Sequence, residues 1–248
     1  MKKVGDKVGA IIVAAGTSNR MGGIDKVFAQ LGEEPLLARI VNVFQNCPSV
    51  DQIVIVLARK SLAQGRNLAK EHSWPKVVAV CPGGLRRQDS VREGLRRLAD
   101  CDWVVIHDGA RPCINADLVE RGLIAARESG AAIAAVPVKD TIKIVSRHRF
   151  VQQTPARQNL WAAQTPQVFR YNLIAEAYRQ VDCEVTDDAA LLEQLGHKVE
   201  VYMGSYQNIK VTTPDDLAIA KVFLANAEKA FFDSGVPCAS VSATTPIG

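Results

Sequence analysis

Val8-Gly-Ala-Ile-Ile-Val-Ala-Ala15 is apolar throughout and runs directly into Gly16. An apolar run without polar alternation is typical of a strand that is covered on both faces. We therefore predict a central parallel strand. Similar runs follow, with segments of helical periodicity between them: the predicted strands are 52–58, 77–81, 103–107 and 131–138, and the predicted helices are 36–46, 61–72, 89–99 and 117–129.

This alternation of strands and helices indicates an α/β fold. Parallel strands need crossover connections, so we predict a Rossmann-like, mostly parallel sheet with helices on both faces. Ligands of such sheets bind outside the carboxyl ends of the strands. The loops that follow the strands are therefore the expected functional site.

The pattern changes after residue 138. Two short runs, 141–145 and 150–153, flank the basic segment Ser146-Arg-His-Arg149 and predict a β-hairpin arm that protrudes from the sheet over about 140–157. We expect a single domain over 1–231 and a flexible C-terminal tail over 232–248. The remaining predicted elements are a strand at 164–169, helices at 171–180 and 187–195, a strand at 198–203 and a helix that opens with Pro214.

The composition is that of a globular protein that handles small anions. The 248 residues are 48% hydrophobic, and the formal net charge of +4 is too small for a protein that wraps nucleic acid. It suits a pocket that gathers Arg and Lys around phosphate groups. No apolar run is long enough to cross a bilayer and no signal peptide is evident, so we expect a cytoplasmic protein without a membrane partner. The six cysteines form no zinc-binding pattern and are expected to be reduced.

The first loop, Ala14-Ala-Gly-Thr-Ser-Asn-Arg-Met-Gly22, follows the predicted central strand. Its small residues let backbone N–H groups approach phosphate oxygens, which favours a nucleotide-binding loop. The loop matches neither the dinucleotide fingerprint nor a Walker A motif, and a bare strand-to-helix turn also carries such glycines. Arg20 and Lys26 favour the nucleotide interpretation, because phosphoryl or nucleotidyl transfer requires charge neutralisation more than covalent help.

A second loop, Pro82-Gly-Gly-Leu-Arg-Arg-Gln-Asp-Ser90, also follows a predicted strand. Its glycines can hold a base or a ribose by backbone contacts. Ser90 has two interpretations, as part of that site or as the cap of the following helix.

A third loop, His107-Asp-Gly-Ala-Arg-Pro112, follows the predicted strand 103–107. Asp108 is the expected Mg²⁺ ligand, because this cation prefers one or two carboxylates together with phosphate oxygens. Arg111 is expected to bind the second phosphorylated substrate. His107 is expected to be a packed residue rather than a base, since an attacking phosphate is already ionised at neutral pH.

Taken in this order, the loops resemble the 2-C-methyl-D-erythritol 4-phosphate cytidylyltransferase family of the non-mevalonate isoprenoid pathway. The resemblance covers the chain from about Gly9 to Leu224. It is carried by the first loop with Lys26, Gly83-Gly84 with Arg87 and Ser90, the His107 to Pro112 loop, Pro137-Val-Lys-Asp-Thr141, Thr154-Pro-Ala-Arg157, Trp161 with Gln164-Thr-Pro-Gln167, Thr186-Asp-Asp-Ala189 and Asn208-Ile-Lys-Val-Thr212.

The resemblance implies that CTP and 2-C-methyl-D-erythritol 4-phosphate react to give 4-CDP-2-C-methyl-D-erythritol and pyrophosphate, with Mg²⁺ as the cofactor. It also implies a homodimer that exchanges its hairpin arms, so that Arg157 serves the partner's active site. The implied roles are CTP binding for Ala14, Ala15, Gly16, Gly84 and Ser90, metal binding for Asp108, catalysis for Arg20, Lys26, Arg157 and Lys210, and binding of the methylerythritol phosphate for Arg111, Thr141 and Thr165.

Three alternatives remain open at this point. Another sugar-alcohol or sugar-1-phosphate nucleotidyltransferase, such as a ribitol phosphate cytidylyltransferase, would share the first loop and the metal site, although the arm and Arg157 argue against it. A nucleotide-sensing module would not need every charge of the catalytic set, and a dinucleotide-dependent oxidoreductase would need an acidic residue after a complete fingerprint. The sequence also departs from some family members at Leu85, where an acidic residue can stand, and at Gly109, where alanine is common. Leu85 weakens any ribose contact assigned to that side chain.

Overall fold

The computed structural model describes residues 6–16, 26–181 and 183–233. Within these ranges a central sheet carries helices on both faces, and two small two-stranded hairpins lie outside it. The strands are β1 (Val8–Ala14), β2 (Gln30–Leu31), β3 (Glu34–Pro35), β4 (Gln52–Leu57), β5 (Val77–Pro82), β6 (Trp103–Asp108), β7 (Ala131–Pro137), β8 (Ile144–Val145), β9 (Val151–Gln153), β10 (Trp161–Arg170) and β11 (Glu200–Met203). The helices are α1 (Leu36–Asn46), α2 (Leu62–Glu71), α3 (Arg87–Leu95), α4 (Ala116–Ser129), α5 (Tyr171–Gln180), α6 (Ala189–Gln194) and α7 (Pro214–Asp233).

The central sheet has seven strands in the order β11-β7-β10-β6-β1-β4-β5. β10 is antiparallel to both of its neighbours, and the other pairs are parallel, which confirms the predicted mostly parallel α/β sheet. The register pairs Ala14 with Leu57, and Val13 with Asp108. The carboxyl ends of β1, β4 and β6 therefore lie at one edge, where the loops that follow them meet.

β1 is almost entirely buried because helices cover each side of the sheet. Ala10 and Ile12 belong to the core layer that contains Phe44 of α1. Ile11 belongs to the opposite layer, which contains Val91 of α3. Full burial of one such large side chain contributes about 1.5–3 kcal/mol to folding. Burial on both faces explains why the run has no polar alternation.

The first turn of α3 begins two residues earlier than predicted. The carboxylate of Asp89 accepts the N–H of Arg86 at 3.1 Å and so satisfies a backbone donor just before the helix. Asp89, and not Ser90, therefore has the capping contact. At α7, which begins at Pro214 as predicted, Asp216 accepts the N–H of Thr213 at 2.9 Å in the same manner.

The arm is a hairpin of β8 and β9, and its paired strands are shorter than predicted. A register shift between Ile144 and Val145 interrupts the pairing and shortens the regular ladder. The turn between the strands is fixed by the N–H of Phe150, which donates to the hydroxyl of Ser146 at 3.2 Å. Phe150 and Val151 are 74% and 60% exposed, so the arm leaves apolar side chains uncovered in the single chain.

Most of the predicted tail over 232–248 lies outside the described residues, although α7 continues as far as Asp233. None of the helices that the structure describes is long and apolar enough to cross a membrane.

Candidate active site

The loops at the carboxyl edge of the sheet enclose a cavity of about 340 Å³, which we call the nucleotide cavity. Its walls come from the end of β1, the loop after β5, the first turn of α3 and the end of β6. These segments are distant in sequence and meet because their strands end at the same edge. The residues predicted to bind the nucleotide all line this cavity: Ala14, Ala15, Gly16, Gly84 and Ser90.

Two glycines allow the loops of the nucleotide cavity to approach each other closely. A Cβ atom on Gly83 would lie 2.4 Å from the Cβ of Ala15. A Cβ atom on Gly109 would lie 2.6 Å from the Cβ of Ala14. Carbon atoms in contact are normally about 3.5–4.0 Å apart. In this chain Gly109 therefore lets the end of β6 pack directly on the end of β1.

Ser90 fastens the glycine loop to α3. Its hydroxyl accepts the N–H of Gly84 at 3.2 Å and lies 3.3 Å from the carbonyl of Arg86, to which it donates. Leu85, between Gly84 and Arg86, lines the cavity and is fully exposed. Its side chain offers no hydrogen-bonding group to a ligand at this position.

Asp108 ends β6, and its carboxylate is surrounded by basic side chains. Lys210 Nζ lies 2.8 Å from its Oδ2 atom, and Arg87 Nε donates to its Oδ1 atom at 3.0 Å. Burial would by itself raise the pKa of Asp108, but the charges of Arg87 and Lys210 hold that pKa well below its ordinary value. The carboxylate is therefore ionised at neutral pH.

His107 is completely buried and supports Asp108 from behind. Its Nε2 atom is 3.1 Å from the carbonyl of Arg111, and its Nδ1 atom is 3.1 Å from the hydroxyl of Thr165. The carbonyl can only accept, so Nε2 carries the proton and Nδ1 accepts from Thr165. The same hydroxyl accepts the N–H of Asp108 at 3.0 Å. Burial lowers the pKa of His107 to about 4, so the ring is neutral, as expected of a packed residue.

A second cavity of about 240 Å³ lies on the other side of Asp108. Asp108, Arg87 and Lys210 line both cavities, so the carboxylate stands at their boundary. Two residues predicted to bind the second substrate, Arg111 and Thr165, line this second cavity. Arg111 is held by a hydrogen bond from its Nη1 atom to the carbonyl of Asn208 at 2.8 Å. Its largely buried position lowers its pKa.

The two predicted catalytic lysines are brought to the same cavity. Lys26 begins a short 3₁₀ turn, and its Nζ atom donates to the carbonyl of Val211 at 3.2 Å. The N–H of Val211 donates to the carbonyl of Ala110 at 2.7 Å, which ties this segment to the end of β6. Lys210 is thereby placed beside Asp108. Arg20, the other predicted cation of the first loop, lies outside the described residues.

The two arm residues with predicted roles, Arg157 and Thr141, line neither cavity. Both are exposed. Arg157 Nη1 donates to the carbonyl of Lys139 at 2.6 Å, within the base of the arm. Folding of one chain therefore assembles the two cavities that meet at Asp108 without these two residues. We call these two cavities and their lining residues the body of the site.

The sequence reasoning assigned no role to Arg87 or Asp188, although both lie in quoted motifs. Arg87 Nη1 forms an ion pair with Asp188 Oδ2 at 2.8 Å. Asp188 is completely buried, which raises its pKa, and the charge of Arg87 opposes that effect. The two residues are about a hundred positions apart, so no local spacing pattern reveals the pair.

Within residues 6–16, 26–181 and 183–233, the side chains of His, Cys, Asp and Glu form no group of three or more that could hold a metal ion. Asp108 fits a different kind of metal site. Mg²⁺ is commonly bound by one or two carboxylates, with substrate phosphates and water as its other ligands. A single ionised carboxylate at the boundary of two cavities meets that requirement.

A larger cavity of about 450 Å³ lies at the opposite, amino edge of β6, beside Trp103. Arg170 covers the ring of Trp103, and Arg127 pairs with Asp6 at 3.4 Å. Its size does not make it the better candidate, because none of the predicted site residues lines it.

Comparison with known proteins agrees with this geometry. The sequence model of the 2-C-methyl-D-erythritol 4-phosphate cytidylyltransferase family matches residues 8–226. A Dehalococcoides mccartyi protein of that name is 50% identical over 219 residues, which cover 88% of this chain and 96% of the relative. An Alkaliphilus oremlandii protein of the same name is 46% identical over 224 residues, which cover 88% and 95% respectively.

Solved structures are similar over the same region. A 4-diphosphocytidyl-2C-methyl-D-erythritol synthase from Anaerococcus prevotii has a TM-score of 0.79 and 30% identity, over 90% of this chain and 97% of that one. A 2-C-methyl-D-erythritol 4-phosphate cytidylyltransferase from Thermus thermophilus has a TM-score of 0.72 and 31% identity, over 89% and 99%. The similarity spans the strands and the loops that form both cavities.

Proposed function

The chain belongs to the 2-C-methyl-D-erythritol 4-phosphate cytidylyltransferase family, and we propose that Mg²⁺ held by Asp108 and an arm from a second copy complete its active site. The protein transfers CMP from CTP to 2-C-methyl-D-erythritol 4-phosphate, giving 4-CDP-2-C-methyl-D-erythritol and pyrophosphate, in non-mevalonate isoprenoid precursor biosynthesis. Membership of this family decides against the three alternatives that the sequence left open, namely another nucleotidyltransferase such as one for ribitol phosphate, a nucleotide sensor and an oxidoreductase.

The observation that supports the proposed site is the shared boundary of the two cavities at Asp108. We assign CTP to the nucleotide cavity and the phosphorylated alcohol to the second cavity. An oxygen of the alcohol's phosphate then attacks the α-phosphorus of CTP, and the bond to the departing pyrophosphate breaks. Two like charges 4 Å apart repel by about 4 kcal/mol at an effective dielectric constant of about 20. The cations Lys26, Lys210 and Arg111 offset this repulsion and align the reacting groups.

Asp108 is the proposed ligand of Mg²⁺. When bound, the ion neutralises charge on the triphosphate and on the departing pyrophosphate. The chain's own contribution is to keep the carboxylate ionised and fixed. Arg87 and Lys210 do the first, and the hydrogen bond from the Asp108 N–H to Thr165 contributes to the second.

We test the metal assignment with Asp108→Asn, which keeps the shape of the side chain and removes its charge. We expect the Mg²⁺-dependent rate of pyrophosphate release to fall on the order of 100-fold, with an unchanged far-UV spectrum. Glu120→Gln is the matched control, because Glu120 accepts hydrogen bonds from Ser49 and Cys47 far from both cavities. A Mg²⁺ titration of Asp108→Asn that superimposes on wild type would assign the ion to another group.

The choice of substrates is tested by measuring pyrophosphate release with each of CTP, UTP, ATP and GTP. Each nucleotide is combined with methylerythritol phosphate or with ribitol phosphate. We expect a high kcat/KM only for CTP with methylerythritol phosphate. Equal rates with ribitol phosphate would mean that the second cavity does not select the branched alcohol.

The second part of the proposal is a homodimer formed through the arm. Phe150 and Val151 on the arm are exposed, as is Trp161 at the start of β10. An isolated two-stranded hairpin is marginally stable in water, so such an arm gains stability by packing on another copy. In this arrangement Arg157 and Thr141 reach the second cavity of the partner. Their exposure and their absence from the two cavities that meet at Asp108 in their own chain support this assignment.

A further inference from the structure

Arg87 connects two buried carboxylates from distant parts of the chain. Its Nε atom donates to Asp108 Oδ1 at 3.0 Å, and its Nη1 atom lies 2.8 Å from Asp188 Oδ2. Arg87 lines both cavities, whereas Asp188 lines neither. The carboxylate of Asp188 therefore has no direct access to a substrate, and it contacts the lining of the two cavities through Arg87.

Asp188 is itself held in one place. Its side chain is fully buried and accepts the hydroxyl of Tyr178 on α5. Its N–H donates to Gln167 Oε1 on β10 at 3.2 Å. The carboxylate that meets Arg87 is thus fixed by a helix and a strand, neither of which lines the nucleotide cavity.

Stability alone is a weak reason for this arrangement. Burial of an ion pair removes two charges from water, and well-packed apolar residues are often as stable or more stable. What the arrangement does provide is a fixed orientation of the Arg87 guanidinium relative to Asp108. With one guanidinium nitrogen on Asp188, Arg87 meets Asp108 through Nε at a single oxygen, Oδ1, and Oδ2 faces Lys210.

We propose that Asp188 is a positioning residue of the transfer reaction, because it orients Arg87 and Arg87 in turn orients the carboxylate of Asp108 at the boundary of the two cavities. The inference rests on the proposed role of Asp108. Without Asp188, the guanidinium is free to take both oxygens of Asp108 in the bidentate geometry that arginine and carboxylate favour. The guanidinium then competes with Lys210 for Oδ2, and the carboxylate loses its orientation at the boundary of the two cavities.

The main test is a double-mutant cycle on kcat with Asp188→Asn and Arg87→Met. Loss of a residue that orients a ligand typically costs roughly 10- to 100-fold in activity, and we expect Asp188→Asn to lower kcat within that range. If Asp188 acts only through Arg87, adding Asp188→Asn to Arg87→Met changes kcat by less than about twofold. A purely structural residue changes the midpoint of thermal unfolding and leaves the kcat of the folded enzyme unchanged.

A matched pair of tyrosine variants covers the case in which Asp188→Asn does not fold. Tyr178→Phe removes the hydroxyl that holds Asp188, and we expect kcat to fall roughly threefold. The control is Tyr171→Phe on the same helix. The Tyr171 hydroxyl donates to the carbonyl of Leu95 at 2.9 Å, away from Asp188, so we expect its removal to leave kcat unchanged.

Two results would overturn the inference: multiplicative losses in the double variant, or equal kcat values for Tyr178→Phe and Tyr171→Phe. Either can occur while Asp108→Asn still loses its Mg²⁺ dependence. Failure of this inference is therefore distinguishable from failure of the proposed metal site.

Discussion

The body of the site and its arm are built in opposite ways. In the body, Asp108 is buried and has Arg87 and Lys210 within 3.0 Å. In the arm, Arg157 and Thr141 are exposed and line neither cavity of their own chain. Folding of one chain therefore fixes the charges around the boundary of the cavities. The arm carries the two residues that we propose to act in the partner's site, on a hairpin whose apolar side chains Phe150 and Val151 are exposed in the single chain.

This difference has an energetic meaning. Groups that are fixed before the reaction cost no reorganisation when charge develops in the transition state. The body is of this kind, since His107 and Thr165 hold the backbone at Asp108 from inside the sheet. In the proposed dimer, the arm residues reach such a state only on assembly. We therefore expect lesions in the body to reduce the rate within each subunit, and lesions in the arm to be repaired by a partner.

The largest expected effect is that of Lys26→Ala in the body. Lys26 lines the nucleotide cavity, and a charge-assisted contact made mainly in the transition state is worth about 3–4 kcal/mol. We expect kcat to fall on the order of 100-fold or more, with a much smaller change in CTP affinity by calorimetry. Lys60→Ala, an exposed lysine in the turn before α2, is the control and keeps wild-type kcat. A folded Lys26→Ala protein with unchanged turnover would remove Lys26 from the reaction.

The next effect tests the arm by mixing two inactive variants, Lys26→Ala and Arg157→Ala. If Arg157 serves the partner, one site of each heterodimer carries both lesions and the other carries neither. Random pairing makes about half of the dimers mixed, so about a quarter of all sites are intact. We expect co-expressed variants to form CDP-alcohol at about a quarter of the wild-type rate, measured against each variant alone.

Heterodimers in this experiment are identified by pull-down with two different tags. A site built within one chain leaves every site of the mixture with one lesion. Confirmed heterodimers without recovered activity would therefore assign Arg157 to its own subunit and remove the functional difference between body and arm.

The sequence predicted the body more completely than the arm. The apolar run of β1 and the order of strands and helices predicted the sheet, because burial on both faces leaves a strong signal in the sequence. The residues that follow the strands, among them Gly84 and Asp108, were located for the same reason. The predicted strands of the arm are too long, since a register shift between Ile144 and Val145 interrupts the pairing, and composition does not reveal such a shift.

Other features of the site could not be derived from local sequence patterns. The contact of Arg87 with Asp188 joins α3 to the residue before α6, and only the packed sheet brings them together. His107 was correctly interpreted as packed, but its bond to Thr165 depends on the register between β6 and β10. Such pairs are set by tertiary packing, whereas spacing along the chain describes only neighbours on one element.

The smallest expected effect concerns Asp216, which steadies the segment that carries Lys210. Its Oδ2 atom accepts the N–H groups of Thr212 and Thr213 at 2.8 and 2.9 Å, and the Thr212 hydroxyl at 2.6 Å. These hydrogen bonds, the one from the Thr212 side chain first, lower the pKa of Asp216 from 3.8 to about 2. A carboxyl with a lowered folded pKa stabilises the fold above its unfolded pKa and loses that contribution as the pH falls through the folded value.

We expect Asp216→Asn to lower the free energy of unfolding by about 1 kcal/mol at pH 7, measured by urea denaturation. The difference from wild type should shrink as the pH falls from about 3.8 through about 2, and it should vanish only below pH 2, where Asp216 is protonated in both states. Other carboxyl groups titrate in both proteins, so the difference isolates Asp216. Because Asp216 lines neither cavity, kcat should stay close to wild type at pH 7. A large loss of kcat in the folded variant would contradict this expectation and would mean that Asp216 is needed to hold Lys210 beside Asp108.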